Sequence, residues 1–208
     1  MKKISLLIIT LTTFASAQLR VGIDLNGGLK GGGGFEGIAS VSLEQTSKLG
    51  IRVGYEKTLF GIAGVGAEYF MSQVGDAEMK IVGTFLGEKI SESETISEKV
   101  FPNALMGYGL VRIPLGVPFL RGIIRAGMWL PMGSGEIDDE SFKWIDAYDP
   151  AITWGIGIRA KLPVMPIGAE LLYQSMTLSA TEIEGGEDGY SFLEGDFTSI
   201  SLVATYSF

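Results

Sequence analysis

Apolar residues fall at every second position along most of this chain, and that period limits the fold more than any other feature. In "AITWGIGIRAKL", Ile152, Trp154, Ile156, Ile158, Ala160 and Leu162 share one parity, and Thr153, Gly155, Gly157, Arg159 and Lys161 take the other. In "LGIRVGYEK", Ile51, Val53 and Tyr55 oppose Arg52, Gly54 and Glu56; in "LRVGIDLN", Val21, Ile23 and Leu25 oppose Arg20, Asp24 and Asn26. The chain ends "SISLVATYSF" in the same rhythm. Successive strand side chains point to opposite faces, so these are strands with one apolar and one polar face, and the chain is all-β. A soluble sandwich buries the apolar face. A transmembrane barrel turns it to lipid and keeps charges in the lumen.

Connection lengths separate the two. The links 45–50, 72–76, 114–118 and 163–166 are short, whereas 87–100, 132–150 and 180–197 are long and acidic. Tight turns at one end and long loops at the other are the asymmetry of outer-membrane barrels. The pattern predicts strands at 20–28, 36–45, 49–57, 62–71, 77–86, 100–113, 119–130, 151–162, 166–179 and 198–208. That is a closed antiparallel up-and-down transmembrane barrel of ten strands. If 58–61 is a bulge and 72–99 one loop, the count is eight.

The first residues, "MKKISLLIITLTTFASA", read as a secretory signal peptide: Lys2 and Lys3, an apolar stretch from Ile4 to Phe14, then the small residues Ala15, Ser16 and Ala17. Residues 1–17 are thus a leader and 18–208 a single barrel domain. Cleavage takes the formal charge from −8 to −10. No Cys follows the cleavage site, which excludes a lipid-anchored lipoprotein. An acidic chain argues against nucleic acid as a partner.

The terminal "YSF", with Tyr206 and Phe208 in the alternating series, resembles the assembly signal of bacterial outer-membrane proteins. The chain from Gln18 resembles the small OmpA-type and OmpX-type barrels and the porin-like proteins grouped with them. That resemblance implies a bacterial outer-membrane location and contact with lipid and lipopolysaccharide. It also implies transient handling by periplasmic chaperones and the barrel assembly machinery. It does not fix a function.

The chain has no His and no Cys. Ser-His-acid hydrolysis and His- or Cys-based metal sites are excluded; no catalytic residue, metal site or cofactor is expected, and no enzyme. The G-x-G-x-x-G match at Gly32, Gly34 and Gly37 precedes "IASVSLE", which alternates like a strand instead of opening the helix that a dinucleotide fold needs.

By parity Arg20, Arg52, Arg112, Arg121, Arg125, Arg159 and Lys161 point into the barrel, with Asp24, Glu36, Glu44, Glu56, Glu68 and Glu170. Eight to ten strands leave a lumen that side chains can fill, so these charges are expected to pair and close it. The alternative is a narrow channel for small solutes. Sixteen of the 24 carboxylates lie in the three long loops. They suggest a solvated acidic surface for structural or surface-interaction roles, with divalent cations as possible ligands; none matches EF-hand spacing.

Overall fold

The computed structural model describes residues 15–35, 39–47, 49–74, 76–85, 88–96, 101–137, 140–162, 164–180 and 194–208. Eight strands close a ring. They are β1 (Ala15–Phe35), β3 (Gly50–Leu59), β4 (Ala63–Met71), β7 (Asn103–Pro114), β8 (Leu120–Met132), β11 (Ala151–Lys161), β12 (Ile167–Leu178) and β13 (Gly195–Ser207), neighbours in that order. β13 pairs back onto β1, and every pair is antiparallel. Three further strands, β2 (Ala39–Ser47), β5 (Ala77–Phe85) and β6 (Glu88–Ile96), stand beyond the ring. β2 pairs with the upper half of β1, β5 with β2, and β6 with β5, making a four-stranded wall on one side. A small hairpin, β9 (Ser134–Ile137) and β10 (Glu140–Lys143), and one turn of helix, α1 (Trp144–Ala147), follow β8.

The ring therefore has eight strands, not ten, and the reason lies in two segments that read as turns. β2 and β3 both run antiparallel to β1, so the chain keeps its direction through 48–49; Ser47 faces Gly27 and Gly50 faces Asp24 on the same edge. β4 and β5 likewise run on through 72–76, against β3 and β2. β6 runs on toward β7. Val74 N–H bonds Leu49 O at 2.7 Å, Ser72 Oγ bonds Pro102 O at 2.6 Å and Phe101 N–H bonds Gln73 Oε1 at 3.3 Å. These interruptions lie side by side as a seam between ring and wall. The segment 58–61 is a true reversal. Phe60 and Gly61 both have positive φ (52° and 69°) and Ile62 N–H bonds Leu59 O, the two-residue hairpin turn that matches strand twist. The eight strands therefore arise by a different route from the bulge at 58–61.

A bulge in β1 controls what faces inward. Asp24 pairs with Ser201 but Asn26 pairs with Ile200, so Leu25 is an extra residue. One inserted residue reverses every later side chain. Arg20 and Asp24 are buried before it, Gly27 and Leu29 after it, and Asn26 turns outward.

Ala15, Phe208, the links 60–61 and 115–119, Lys161 and Ile167 share one end of the ring; the wall, β9, β10, α1, Leu178 and Gly195 share the other. Apolar side chains cover the outside of all eight ring strands, among them Val21, Val53, Val65, Val111, Met128, Ile152, Leu171 and Leu202. Ile152 is 77% exposed. A water-soluble monomer rarely shows an apolar patch that encircles it.

Candidate functional site: the closed lumen

All eight ring strands send polar side chains into one buried network. Arg20 on β1 is central. Its Nε donates to Glu68 Oε1 at 2.6 Å, and its two terminal nitrogens fork onto Glu170 at 2.9 and 2.8 Å. Arg159 donates to both oxygens of Glu56, at 2.7 and 2.9 Å, and to Glu170 at 2.6 Å. Arg52 holds Asp24 at 2.5 Å and Glu68 at 3.3 Å. Arg125 holds Glu68 at 3.1 Å and Gln174 Oε1 at 2.6 Å. Arg112 reaches Glu56 and donates to Gln18 Oε1 at 2.9 Å. Tyr108 donates to Glu68 at 3.1 Å, and Ser201 donates to Asp24. Five guanidinium groups thus meet four carboxylates. Charges this deep cost more to desolvate than any single pair returns, so each is held by several partners at once.

Glycine makes the room. Arg20 and Glu68 both lie opposite Gly54, Arg52 opposite Gly22, Arg125 opposite Gly155 and Tyr108 opposite Gly66. A Cβ on Gly54 would come within 2.3 Å of Glu68 Cγ, and one on Gly66 within 2.5 Å of the Tyr108 ring. The long charged side chains occupy space that any other residue on the facing strand would fill.

Toward the long-link end the lumen changes character. Phe70, Phe101, Trp129, Trp144, Tyr148, Met176, Leu178 and Phe197 pack as one buried cluster. Phe197 makes edge contacts with Phe70 and Phe101, at 6.1 and 5.8 Å between centroids. The β9–β10 hairpin folds back, with Trp144 N–H on Gly133 O, and stacks Trp144 on Tyr148. Burial raises the Tyr148 phenol well above its usual pKa. Arg52 lies 4.9 Å from the centre of the Phe70 ring, where the charged layer meets this cap. Among the described residues a charged layer in the middle of the lumen and an aromatic cluster above it thus lie in series.

Nine of the inward charges read from the sequence are in the network: Arg20, Asp24, Arg52, Glu56, Glu68, Arg112, Arg125, Arg159 and Glu170. Arg121 and Lys161 are not. Among the described residues Arg121 bonds only the backbone carbonyls of Val117 and Leu120, and Lys161 is exposed at the short-turn mouth. Glu44 is not in the lumen either; it pairs with Lys30 at 2.9 Å on the wall. Glu36 and the leader up to residue 14 lie outside the described residues, and Ala15–Ala17 extend β1. Tyr206 and Phe208 lie on the outer surface, with Phe208 6.3 Å from both Tyr206 and Tyr55. The parity reading missed Gln18, Tyr108, Gln174 and Ser201 as members and the whole aromatic cap. Tyr108 and Trp129 share the inward parity of Arg112 and Arg125, so that signal was present.

Among the described residues no group of three acidic side chains gathers as a metal site; most of the acidic 180–197 loop lies outside them. No protein-family model matches the chain, and comparison with curated proteins finds no relative by sequence.

Proposed function

We propose that the protein is an integral β-barrel of a bacterial outer membrane, of the small OmpA-type or OmpX-type class, exported through a cleaved leader. Its role is structural and surface-interactive, and it carries out no catalysis. The observation that carries this reading is the inversion of polarity: an apolar outer face on every ring strand around a lumen filled by paired charge. Lipid is the medium in which that arrangement is stable.

The wall supports the interactive part. β6 forms its outer edge, with no further strand paired to it among the described residues. Glu88, Ile90, Glu92 and Glu94 alternate along it, all exposed. A free strand edge offers backbone donors and acceptors to an added strand, and the acidic side chains favour a basic partner or divalent cations that bridge anionic lipopolysaccharide. Assembly would pass through periplasmic chaperones and the barrel assembly machinery.

Planar-bilayer recording tests the reading. Purified protein in detergent is expected to show β-type circular dichroism, heat-modifiable gel migration and no regular conductance steps. Stable unitary steps would replace the closed barrel with a narrow channel, and solubility without detergent would remove the membrane reading altogether.

A further inference from the structure

The short-turn mouth holds charge that the network does not use. Arg121 on β8 lies directly opposite Arg159 on β11, and Lys161 follows two residues along the same strand. Like charges facing each other across a ladder destabilise it unless something lies between them. Arg159 is occupied by Glu56 and Glu170, and Arg112 by Glu56 and Gln18. Arg121 and Lys161 meet no carboxylate among the described residues. The network itself has one cation in excess, and these two bring the surplus to three. Arg112 Nε is buried with no acceptor among the described residues. These groups line a half-open cavity of about 300 Å³, with Phe119 and Leu162 at its rim.

We propose that this mouth is a binding site for a phosphate group, held by Arg121 and Lys161 and backed by Arg112 and Arg159. Guanidinium forks suit tetrahedral oxyanions, and an anion here would turn the Arg121–Arg159 repulsion into two attractions to a shared partner. The same chemistry serves a free phosphate ester and a lipid headgroup. The exposed apolar rim, Phe119 at 49% and Leu162 at 53%, fits the second as well as the first. The cavity and its charges follow from the fold alone; the lipid source rests on the membrane reading.

The test uses purified protein in uncharged maltoside micelles, with heat-modifiable migration checked first. Loss of that migration in the wild type refutes the barrel, not the site. Sodium phosphate is titrated against sodium chloride at equal ionic strength, followed by phosphorus NMR and by the urea unfolding midpoint. Lysophosphatidic acid is titrated in parallel. Wild type is expected to saturate with phosphate and to gain stability that chloride does not give. The double variant Arg121→Gln/Lys161→Gln is expected to lose affinity on the order of tenfold or more, the equivalent of one or two charge-assisted bonds. Without phosphate, Arg121→Gln is expected to raise the midpoint, because the repulsion is gone. Lys57→Gln, an exposed outer-face lysine at the same end, is the control for net charge. Tighter binding of the lipid than of inorganic phosphate assigns the headgroup, and equal binding assigns a soluble ester. Absence of saturation with both probes, or a double variant that binds like Lys57→Gln, overturns the proposal.

Discussion

Arg20 and Glu170 grip each other through two parallel hydrogen bonds of 2.9 and 2.8 Å although 150 residues separate them in sequence. Neither has solvent to fall back on. Glu170→Gln or Arg20→Met alone should each lower unfolding stability by about 3–5 kcal/mol, because each leaves charge buried without its partner. The pair Arg20→Met/Glu170→Leu should cost less than the two single losses added together. Urea unfolding in micelles, run as a double-mutant cycle, measures the coupling; strict additivity would show that the fork contributes nothing beyond filling space.

Gly54 has no room for a side chain. Gly54→Val should push Glu68 out of its contacts with Arg20, Arg52 and Arg125 and lower stability by roughly 1–3 kcal/mol through overpacking, more if the network opens. Gly107→Ala, where a Cβ meets nothing within 4 Å, should leave the unfolding midpoint close to wild type. The difference between the two midpoints is the measurement.

The charged layer and the aromatic cap lie in series along the lumen. Arg125→Ala should lower the unfolding midpoint, as Glu68 and Gln174 lose a donor, yet leave bilayer conductance near baseline. Trp144→Ala should also remain closed. Only the double variant should leak. Regular steps in either single variant would mean that one layer alone seals the barrel.

Beyond the seam the wall is bound to the ring through β1 and the hydrogen bonds at 49, 72–74 and 101–102. Replacing residues 76–99 with a two-glycine linker should therefore leave the eight-stranded ring able to fold, since Ser72 and Pro102 are already adjacent. Retained heat-modifiable migration would support this; complete loss of folding would make the wall part of the same cooperative unit.

Phe208 packs near Tyr55 and Tyr206 on the outer face. On the proposed outer-membrane reading, its deletion should reduce assembled protein in that membrane far more than it slows refolding into detergent. Equal assembly of variant and wild type would show that the terminal aromatic carries no signal.

The ring strands and the direction of most of their side chains were legible because parity is local: Arg52, Glu56, Arg125 and Arg159 can be read inward from their neighbours alone, whereas β6, β9 and β10 fall in segments whose acidic composition reads as loop. The strand count was not legible. Gln45–Gly50 and Ser72–Asp76 have the Ser, Gly and Asp content of turns, and only long-range pairing, of β2 and β3 with β1 and of β4 and β5 with β3 and β2, keeps the chain running straight. The Leu25 bulge escaped for a related reason. An inserted residue leaves no trace in composition, yet it moves Leu29 to the inside and Asn26 to the outside. The glycines were legible as an excess but not as spacers, because each is explained by the residue opposite it on another strand.

The distribution of partners around the ring also has a consequence for how such a molecule is made. Asp24 on the first strand receives its hydroxyl from Ser201 on the last, and Arg20 receives Glu170 from the strand before that. A chain arrested before its final two strands leaves Arg20 on β1 and Arg159 on β11 without the Glu170 they share. The last two strands thus bring both the closing ladder and the fourth carboxylate of the network. A half-built sheet is thereby marked by its own unmatched charge, a physical difference between an unfinished product and a finished one.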